Sequence, residues 1–205
     1  MPFALLGLAL AWAVMLLFGG MELDRALLVF AYAGNTDWLV IAARWLTELG
    51  SLTILLPATF LGALILALRR EWRAAALLVA ITLSGRLLVS LQKDWTDRLR
   101  PDASDALVTV QSLSFPSGHA ANATLVWLGL ALLVPRSPRL RLHAVWAAAW
   151  LALAIGVSRV MLGVHWPSDV IAGWSFGLFW ILLLLRLAGE TLDDGTEAAA
   201  GHFPR

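Results

Sequence analysis

Six apolar runs, separated by short polar stretches, constrain the fold of this chain more than any other feature. A transmembrane helix needs about 20 mostly apolar residues to cross the hydrocarbon layer of a bilayer. Runs that reach or approach this length lie at residues 3–18, 52–68, 74–91, 120–134, 143–160 and 170–187. Only 14% of the residues are charged, against about 25% in soluble domains. The sequence therefore predicts an all-α polytopic membrane protein, a bundle of six transmembrane helices.

The stretch between the first two runs differs from the rest. Residues 22–49 contain two amphipathic segments that are too short or too charged to span a bilayer. Trp38 and Trp45 suit the membrane–water interface, where aromatic rings are enriched. We expect one or two short helices at the membrane surface here. Residues 1–189 are predicted to form one membrane-embedded domain, and residues 190–205 a polar C-terminal tail.

Composition excludes several classes of function. The chain contains no cysteine, which excludes disulfides, thiolate metal sites and cysteine-dependent phosphatase chemistry. The formal net charge is only +1, which gives no indication of a nucleic-acid partner. Of the 15 lysine and arginine residues, Lys93 is the only lysine. Its neighbours decide whether that position has a special role.

The loops divide the polar residues between two faces. With six spans, the arginine-rich loops at 69–73 and 136–141 share one face with both termini, and residues 20–50, 93–118 and 158–169 share the other. Short loops rich in basic residues stay in the cytoplasm. We therefore expect a plasma (inner) membrane protein with cytoplasmic termini. The second face would be extracytoplasmic, or periplasmic in a Gram-negative cell.

Three cations and a helix start gather on that second face. Lys93, Arg100 and Arg159 could together bind an anion with several oxygens, such as phosphate. Ser117 and Gly118 directly precede the fourth span, and free backbone N–H groups at a helix N-terminus attract anions. The pattern indicates a phosphate site.

Two histidines on the same face are candidates for a nucleophile and an acid. His119 directly precedes the fourth span, and His165 precedes the sixth. Asp169 follows His165 by four residues, about one helical turn, and could accept a hydrogen bond from one ring nitrogen while the other stays free to attack. A structural role is the alternative for each group taken alone, because interfacial arginines often snorkel and an aspartate often caps a helix.

Other polar residues have less specific interpretations. Four aspartates could suggest a metal site, although a solvated loop explains them better: Asp94, Asp97, Asp102 and Asp105. Arg86 could form an ion pair with Glu48 or help to hold a second phosphate or a headgroup. Arg98 could touch a headgroup or balance the neighbouring acids. His143 lies on the opposite face and cannot join the site.

These residues resemble the signature of the type 2 phosphatidic acid phosphatase superfamily. That signature is Lys-x6-Arg-Pro, then Pro-Ser-Gly-His, then Ser-Arg-x5-His-x3-Asp. This chain matches every spacing, with Lys93 and Arg100-Pro101, then Pro116-Ser117-Gly118-His119, then Ser158-Arg159, His165 and Asp169. The resemblance spans residues 51 to 187 and accounts for the single lysine, which opens the first motif.

The resemblance implies a metal-independent phosphatase with no cofactor. In such an enzyme His165 would attack phosphorus and form a phosphohistidine, Asp169 would orient it, and His119 would protonate the leaving oxygen. Lys93, Arg100 and Arg159 would hold the phosphate oxygens, assisted by Ser117 and the Gly118 amide. The implied partner is a phospholipid or polyprenyl phosphate in the bilayer, and oligomeric state stays open.

The substrate and some alternative functions also stay open. A polyprenyl diphosphate or phosphatidylglycerol phosphate is favoured, with lipid A, phosphatidate or phosphate transfer as alternatives. Vanadium-dependent haloperoxidases share the signature, but they are soluble. A lipid-binding or lipid-transporting protein of the same fold is the non-enzymatic alternative, and the intact pair of histidines argues against it.

Overall fold

The computed structural model describes residues 2–19, 21–102 and 105–189, and this part of the chain contains helices and no strands. The predicted polar tail, 190–205, lies outside the described residues. The helices are α1 (Pro2–Phe18), α2 (Glu22–Ala31), α3 (Asp37–Glu48), α4 (Leu52–Leu68), α5 (Trp72–Thr96), α6 (Gly118–Ala123), α7 (Gly129–Leu133), α8 (Pro138–Met161) and α9 (Pro167–Leu187). A π-helical turn, Thr124–Leu128, joins α6 to α7.

The apolar helices confirm a polytopic membrane protein, although the count of six spans is approximate. Within the described residues, four helical stretches are long and apolar enough to cross a bilayer: Asp37–Leu68, Trp72–Thr96, Pro138–Met161 and Pro167–Leu187. A fifth is obtained if α1 and α2 are counted as one broken span, bent by 95°. The helix Gly118–Leu133 is apolar but shorter.

The region between α1 and α4 contains two helices, α2 and α3, as the sequence predicts. The stretch that includes α3 and α4 is 32 residues long, or about 48 Å at 1.5 Å per residue. This exceeds a hydrocarbon thickness of about 30 Å. When α4 lies inside the layer, α3 therefore extends beyond it.

The short helix α6 and the π-helical turn lie at the centre of the bundle, against α5, α8 and α9. Ile81, Leu125 and Ile181 are buried between these helices. Two glycines let α9 approach closely: a Cβ on Gly173 would lie 2.7 Å from the Ser117 carbonyl oxygen, and one on Gly177 would lie 2.8 Å from Thr124 Cβ. Small residues permit such close helix crossings in membranes. This packing fixes the start of α6.

The two ends of the bundle carry different groups. At one end, Arg136 donates to Glu71 at 2.8 and 3.0 Å, and Arg69 donates to the Val134 carbonyl at 2.8 Å. These contacts confirm that the two basic loops share one end, which we call the basic end. At the other end, which we call the site end, α5 and α8 finish and α6 and α9 begin.

Candidate active site

The structure brings the predicted site residues to the site end. Their positions are the last turns of α5 (Lys93) and α8 (Arg159), the segment after α5 (Arg100), the start of α6 (Ser117, Gly118, His119), the link between α8 and α9 (His165) and the first turn of α9 (Asp169). Residues up to 76 positions apart in sequence, such as Lys93 and Asp169, therefore meet at one place.

Local signals explain how His165 and Asp169 are presented. Gly163 closes the turn after α8 with a φ of 70°, a left-handed conformation that favours glycine. Pro167 occupies the first turn of α9, where its missing N–H costs nothing. Asp169 accepts a hydrogen bond from the Trp166 backbone N–H at 3.0 Å and so caps α9. His165 is thus held directly before a capped helix.

The contacts of His165 define which nitrogen carries the proton. Arg100 Nη1 lies 3.0 Å from His165 Nε2. A guanidinium can only donate, so Nε2 must be the unprotonated acceptor. In a neutral imidazole the proton is then on Nδ1, which lies 3.4 Å from Asp169 Oδ2. The geometry leaves the lone pair of Nε2 unprotonated and directs it toward a cation.

The electrostatic environment favours a neutral imidazole. His165 is 2% exposed. Burial, and then the positive charges of Arg100, Lys93 and Arg159, hold the pKa of His165 well below its usual value. Burial also lowers the pKa of Arg100, while the charge of Asp169 opposes this change. At neutral pH the lone pair is therefore available without deprotonation.

Asp169 is fully buried, and several donors satisfy it. Arg98 Nη1 forms an ion pair with Oδ1 at 3.0 Å. The Ser114 hydroxyl donates to Oδ2, the oxygen that also faces His165. Buried carboxylates are stable only when paired and hydrogen-bonded in this way. These donors fix the orientation of the carboxylate.

Two of the three motif cations donate to backbone carbonyls of the segment that precedes Pro116. Lys93 Nζ donates to the Leu113 oxygen at 2.6 Å. Arg100 donates through Nε to the Ser112 oxygen at 2.6 Å and also donates to the Val164 oxygen. The site is closed in this conformation, because these donors and Nε2 of His165 bind each other or the backbone. A phosphate would take the place of the carbonyl oxygens.

The third cation and the start of α6 have unused donors. Arg159 Nη1 donates to Thr47 Oγ1 at 2.8 Å, while its Nε and the Ser117 hydroxyl are buried without a hydrogen-bond partner. Buried polar atoms are rarely left unpaired, so both are suited to a ligand. A Cβ on Gly118 would lie 3.7 Å from Lys93 Cε, which places the helix start beside this cation.

His119 faces the turn between α3 and α4. A Cβ on Gly50 would lie 3.2 Å from His119 Cδ2, and Thr47, the partner of Arg159, lies one turn before Gly50. His119 therefore lies on the α3 side of the cation cluster.

Some of the less specific interpretations change. Arg98 pairs with Asp169, which corrects the expectation that it touches a headgroup or balances the neighbouring acids. No ion pair joins Arg86 to Glu48 within the described residues, and the charge of Glu48 acts on Arg159 instead. His143 binds the Arg139 carbonyl near the start of α8, at the basic end.

Sequence reasoning missed Ser114 and Thr47, and it misjudged Arg98. Neither Ser114 nor Thr47 belongs to a spaced motif, and each contributes a single hydroxyl from a segment that only the fold brings to the site. Arg98 had a weak signal, because it stands two residues before Arg100 in the same segment. In the described residues, no three histidine or acidic side chains group as metal ligands.

The fold and the site define a helical membrane protein with a buried histidine–aspartate pair beside a cluster of cations. Its sequence matches the model of the PAP2 superfamily over residues 73–192. The chain belongs to this superfamily, and it is a membrane-bound lipid phosphatase.

Known proteins agree with this assignment. Phosphatidylglycerophosphatase B of Bacillus subtilis is 36% identical over 166 residues, covering 78% of this chain and 81% of its own. The decaprenylphosphoryl-5-phosphoribose phosphatase of Mycobacterium tuberculosis is 36% identical over 140 residues, covering 66% and 72%. The crystal structure of a transmembrane PAP2-type phosphatidylglycerolphosphate phosphatase from Bacillus subtilis matches with a TM-score of 0.83 at 29% identity, covering 94% of this chain and 99% of its own.

Proposed function

We propose that this enzyme removes the terminal phosphate of a membrane lipid through a phosphohistidine at His165, with phosphatidylglycerol phosphate as the leading substrate. One observation carries the mechanism. Nδ1 of His165 faces the buried carboxylate of Asp169, while Nε2 faces the guanidinium of Arg100. A phosphate bound by Arg100 would therefore lie next to the unprotonated nitrogen.

Binding begins with an exchange of acceptors. The phosphate oxygens replace the carbonyls of Ser112 and Leu113 on Arg100 and Lys93. The unpaired Arg159 Nε and Ser117 hydroxyl supply two further donors. A phosphate dianion adds the attraction of opposite charges to these hydrogen bonds, so it competes well with uncharged backbone carbonyls. These donors also neutralise the charge that the phosphoryl group carries in the transition state.

The chemistry then proceeds in two steps. In the first, Nε2 of His165 forms a bond to phosphorus, and the bond from phosphorus to the lipid oxygen breaks. His119 gives its proton to that oxygen, so a lipid alcohol leaves. In the second, His119 takes a proton from water, the water oxygen bonds to phosphorus, and the phosphorus–nitrogen bond breaks. Asp169 stabilises the positive imidazole between the steps.

A surface cavity beside Arg159 supports a lipid substrate. It has a volume of about 620 Å³ and lies between α3 and the segment 107–109. Thr47 lines it and also binds Arg159, so the cavity borders the phosphate site. Ile41 and Trp45 offer apolar surface, and Arg44 and Glu48 could bind headgroup hydroxyls. Such a mixed lining suits a glycerol headgroup that joins apolar chains.

The choice of lipid follows from the relatives. We place phosphatidylglycerol phosphate first because the Bacillus relative named for it matches most of both chains. A polyprenyl lipid phosphate or diphosphate comes second, since the Mycobacterium relative is named for a polyprenyl-linked substrate.

We further propose that the site end faces away from the cytoplasm. The basic end contains Arg69, Arg70, Arg73, Arg136, Arg139 and Arg141, and short basic loops are retained in the cytoplasm. The enzyme would then act on lipids of the outer leaflet of the plasma membrane. A reporter fused after Arg205 tests this: a cytoplasm-only fluorescent fusion should fluoresce. Activity of alkaline phosphatase fused at the same position would reverse the topology.

A phosphate-release panel tests the function. Purified enzyme in detergent would receive phosphatidylglycerol phosphate, undecaprenyl diphosphate, phosphatidate and lipid A at equal mole fractions, with His165→Ala as the inactive control. We expect the highest kcat/KM for phosphatidylglycerol phosphate. A tenfold preference for another lipid would overturn the substrate assignment. Phosphate recovered on an added lipid alcohol, rather than in water, would indicate transfer, and binding without release would indicate a non-catalytic protein.

A further inference from the structure

Arg98 occupies one of the six unspecified positions between Lys93 and Arg100 in the first motif, yet its side chain contacts the site directly. Its guanidinium donates to Asp169 Oδ1 at 3.0 Å and to Ser168 Oγ at 3.4 Å. It also stacks over the ring of Phe115, 4.3 Å from the centroid. Its side chain is 14% exposed. Arg98 is therefore a nearly buried cation whose acidic partner is the proposed catalytic carboxylate.

The same guanidinium binds the end of α1. Nη2 donates to the Met15 carbonyl at 3.1 Å and to the Leu16 carbonyl. The last carbonyls of a helix have no partner inside the helix, and a cation is favoured there. One side chain thus joins the C-terminal end of α1 to Asp169.

Gly19 shows how closely α1 and Arg98 approach each other. A Cβ at this position would lie 2.0 Å from Arg98 Nη1 and 2.4 Å from Cζ. Any side chain at position 19 must displace the guanidinium. The absence of a side chain at Gly19 therefore leaves space for the Arg98 guanidinium where it contacts Asp169.

A second contact joins the N-terminal helices to the start of α9. Asp24 of α2 accepts hydrogen bonds from the Ser168 backbone N–H at 2.9 Å and from the Ser168 hydroxyl at 2.6 Å. Asp24 thereby binds the first turn of α9, next to Asp169. Both contacts come from residues before position 73, where the match to the family model begins.

We propose that Arg98 is a positioning residue that acts through Asp169, and that turnover therefore depends on the packing of the C-terminal end of α1 against Arg98. Arg98 orients the carboxylate toward Nδ1 of His165, and the Met15 and Leu16 carbonyls in turn hold Arg98. The inference rests on the proposed function, because it assigns Asp169 its role beside the nucleophile. Arg98 does not reach the phosphate in this arrangement, since its donors face Asp169, Ser168 and α1.

A set of matched variants tests the proposal. Arg98→Gln removes the charge, Arg98→Lys keeps the charge without the forked geometry, and Gly19→Ala displaces the guanidinium while Arg98 remains. The controls are Arg136→Gln, an ion-paired arginine at the basic end, and Gly7→Ala in α1, where an added Cβ meets nothing within 4 Å. For each variant, kcat and KM are measured with phosphatidylglycerol phosphate, and the folded fraction by size exclusion.

We expect Arg98→Gln to lower kcat about 10- to 100-fold, the range in which a small misplacement of a catalytic group falls, while KM changes less than about threefold. Arg98→Lys should recover part of that loss. Gly19→Ala should lower kcat in the same direction with KM unchanged, and both controls should stay within twofold. In an Asp169→Asn background, Arg98→Gln should cost less than twofold, because the two residues act as a unit.

Each contrary result overturns the proposal. Arg98→Gln with more than half of the kcat of the folded wild-type protein would show that Arg98 is not required. A rise in KM with unchanged kcat would show that Arg98 binds substrate. If Gly19→Ala and Gly7→Ala have the same kcat, turnover does not depend on the packing of α1 against Arg98. Failure of the proposed function looks different, since His165→Ala would then remain active whatever Arg98 does.

Discussion

Replacing Asp169 with asparagine removes one negative charge from a fully buried side chain and leaves its shape almost unchanged. In the proposed mechanism, attack by Nε2 of His165 leaves the imidazole positively charged. Asp169 Oδ2 lies 3.4 Å from Nδ1, and in this mechanism the Asp169 carboxylate stabilises that charge. Asparagine keeps one acceptor oxygen but no charge. The substitution should therefore affect the chemical step far more than the binding of substrate.

The size of the effect follows from Coulomb's law. Two unit charges 3.4 Å apart interact by about 5 kcal/mol at an effective dielectric constant of about 20. Each 1.36 kcal/mol on the barrier changes the rate tenfold. We therefore expect kcat to fall between about 10³- and 10⁴-fold, with KM within a few-fold of the wild-type value. Arg98 loses its counter-charge as well, so the folded fraction must be measured.

The assay is phosphate release by purified enzyme in detergent, normalised to the monodisperse fraction. Asp94→Asn is the matched control, because Asp94 is exposed at the end of α5 and should stay within twofold. A fall of less than tenfold in correctly folded Asp169→Asn would refute the electrostatic role assigned to Asp169. Equal losses in both variants would point instead to a general effect of acidic residues near this surface.

Three further predictions concern protonation, packing and inhibition. In ¹⁵N-histidine NMR spectra of the unliganded enzyme, assigned with His165→Ala, His165 should carry its proton on Nδ1. It should titrate below pH 6.5, because burial lowers its pKa. Titration at or above pH 6.5 would contradict this prediction. Gly173→Ala should lower both thermal stability and kcat, by about 1–3 kcal/mol for stability, because its Cβ would lie 2.7 Å from the Ser117 carbonyl; a variant as stable and active as Gly7→Ala would contradict it. Activity should survive chelators and be inhibited by vanadate, a mimic of five-coordinate phosphorus; loss in chelator that Mg²⁺ restores would count against the proposed chemistry.

Much of the fold follows from the apolar runs, because each long run must form a helix to satisfy its backbone in lipid. The motif spacings likewise bring Lys93, His119 and His165 to span boundaries on one face. The alternation of basic and less basic loops along the chain predicts which loops share one end of the bundle. The Arg136–Glu71 ion pair shows that the two basic loops lie at the same end.

The parts that sequence reasoning missed depend on tertiary packing. No periodicity reveals that α3 and α4 form one 32-residue stretch, because Gly50 and Ser51 look like a break between a surface helix and a span. Nor does any motif indicate that Arg98 turns toward Asp169 and α1, since both partners are distant in sequence. The closed state of the site, with Arg100 on Nε2 of His165, also depends on the path of the segment 112–114.

The covalent intermediate is the central claim, and trapping it is the most direct test. His119→Ala enzyme would be mixed with an aryl phosphate ester labelled in its phosphate, because an aryl oxide leaves without a proton from His119. The protein would be denatured in alkali within the first turnover and digested for mass spectrometry. We predict a base-stable, acid-labile phosphate on the peptide that contains His165, and none in the double variant His119→Ala, His165→Ala. Turnover by His165→Ala, together with no labelled peptide in His119→Ala, would contradict the account.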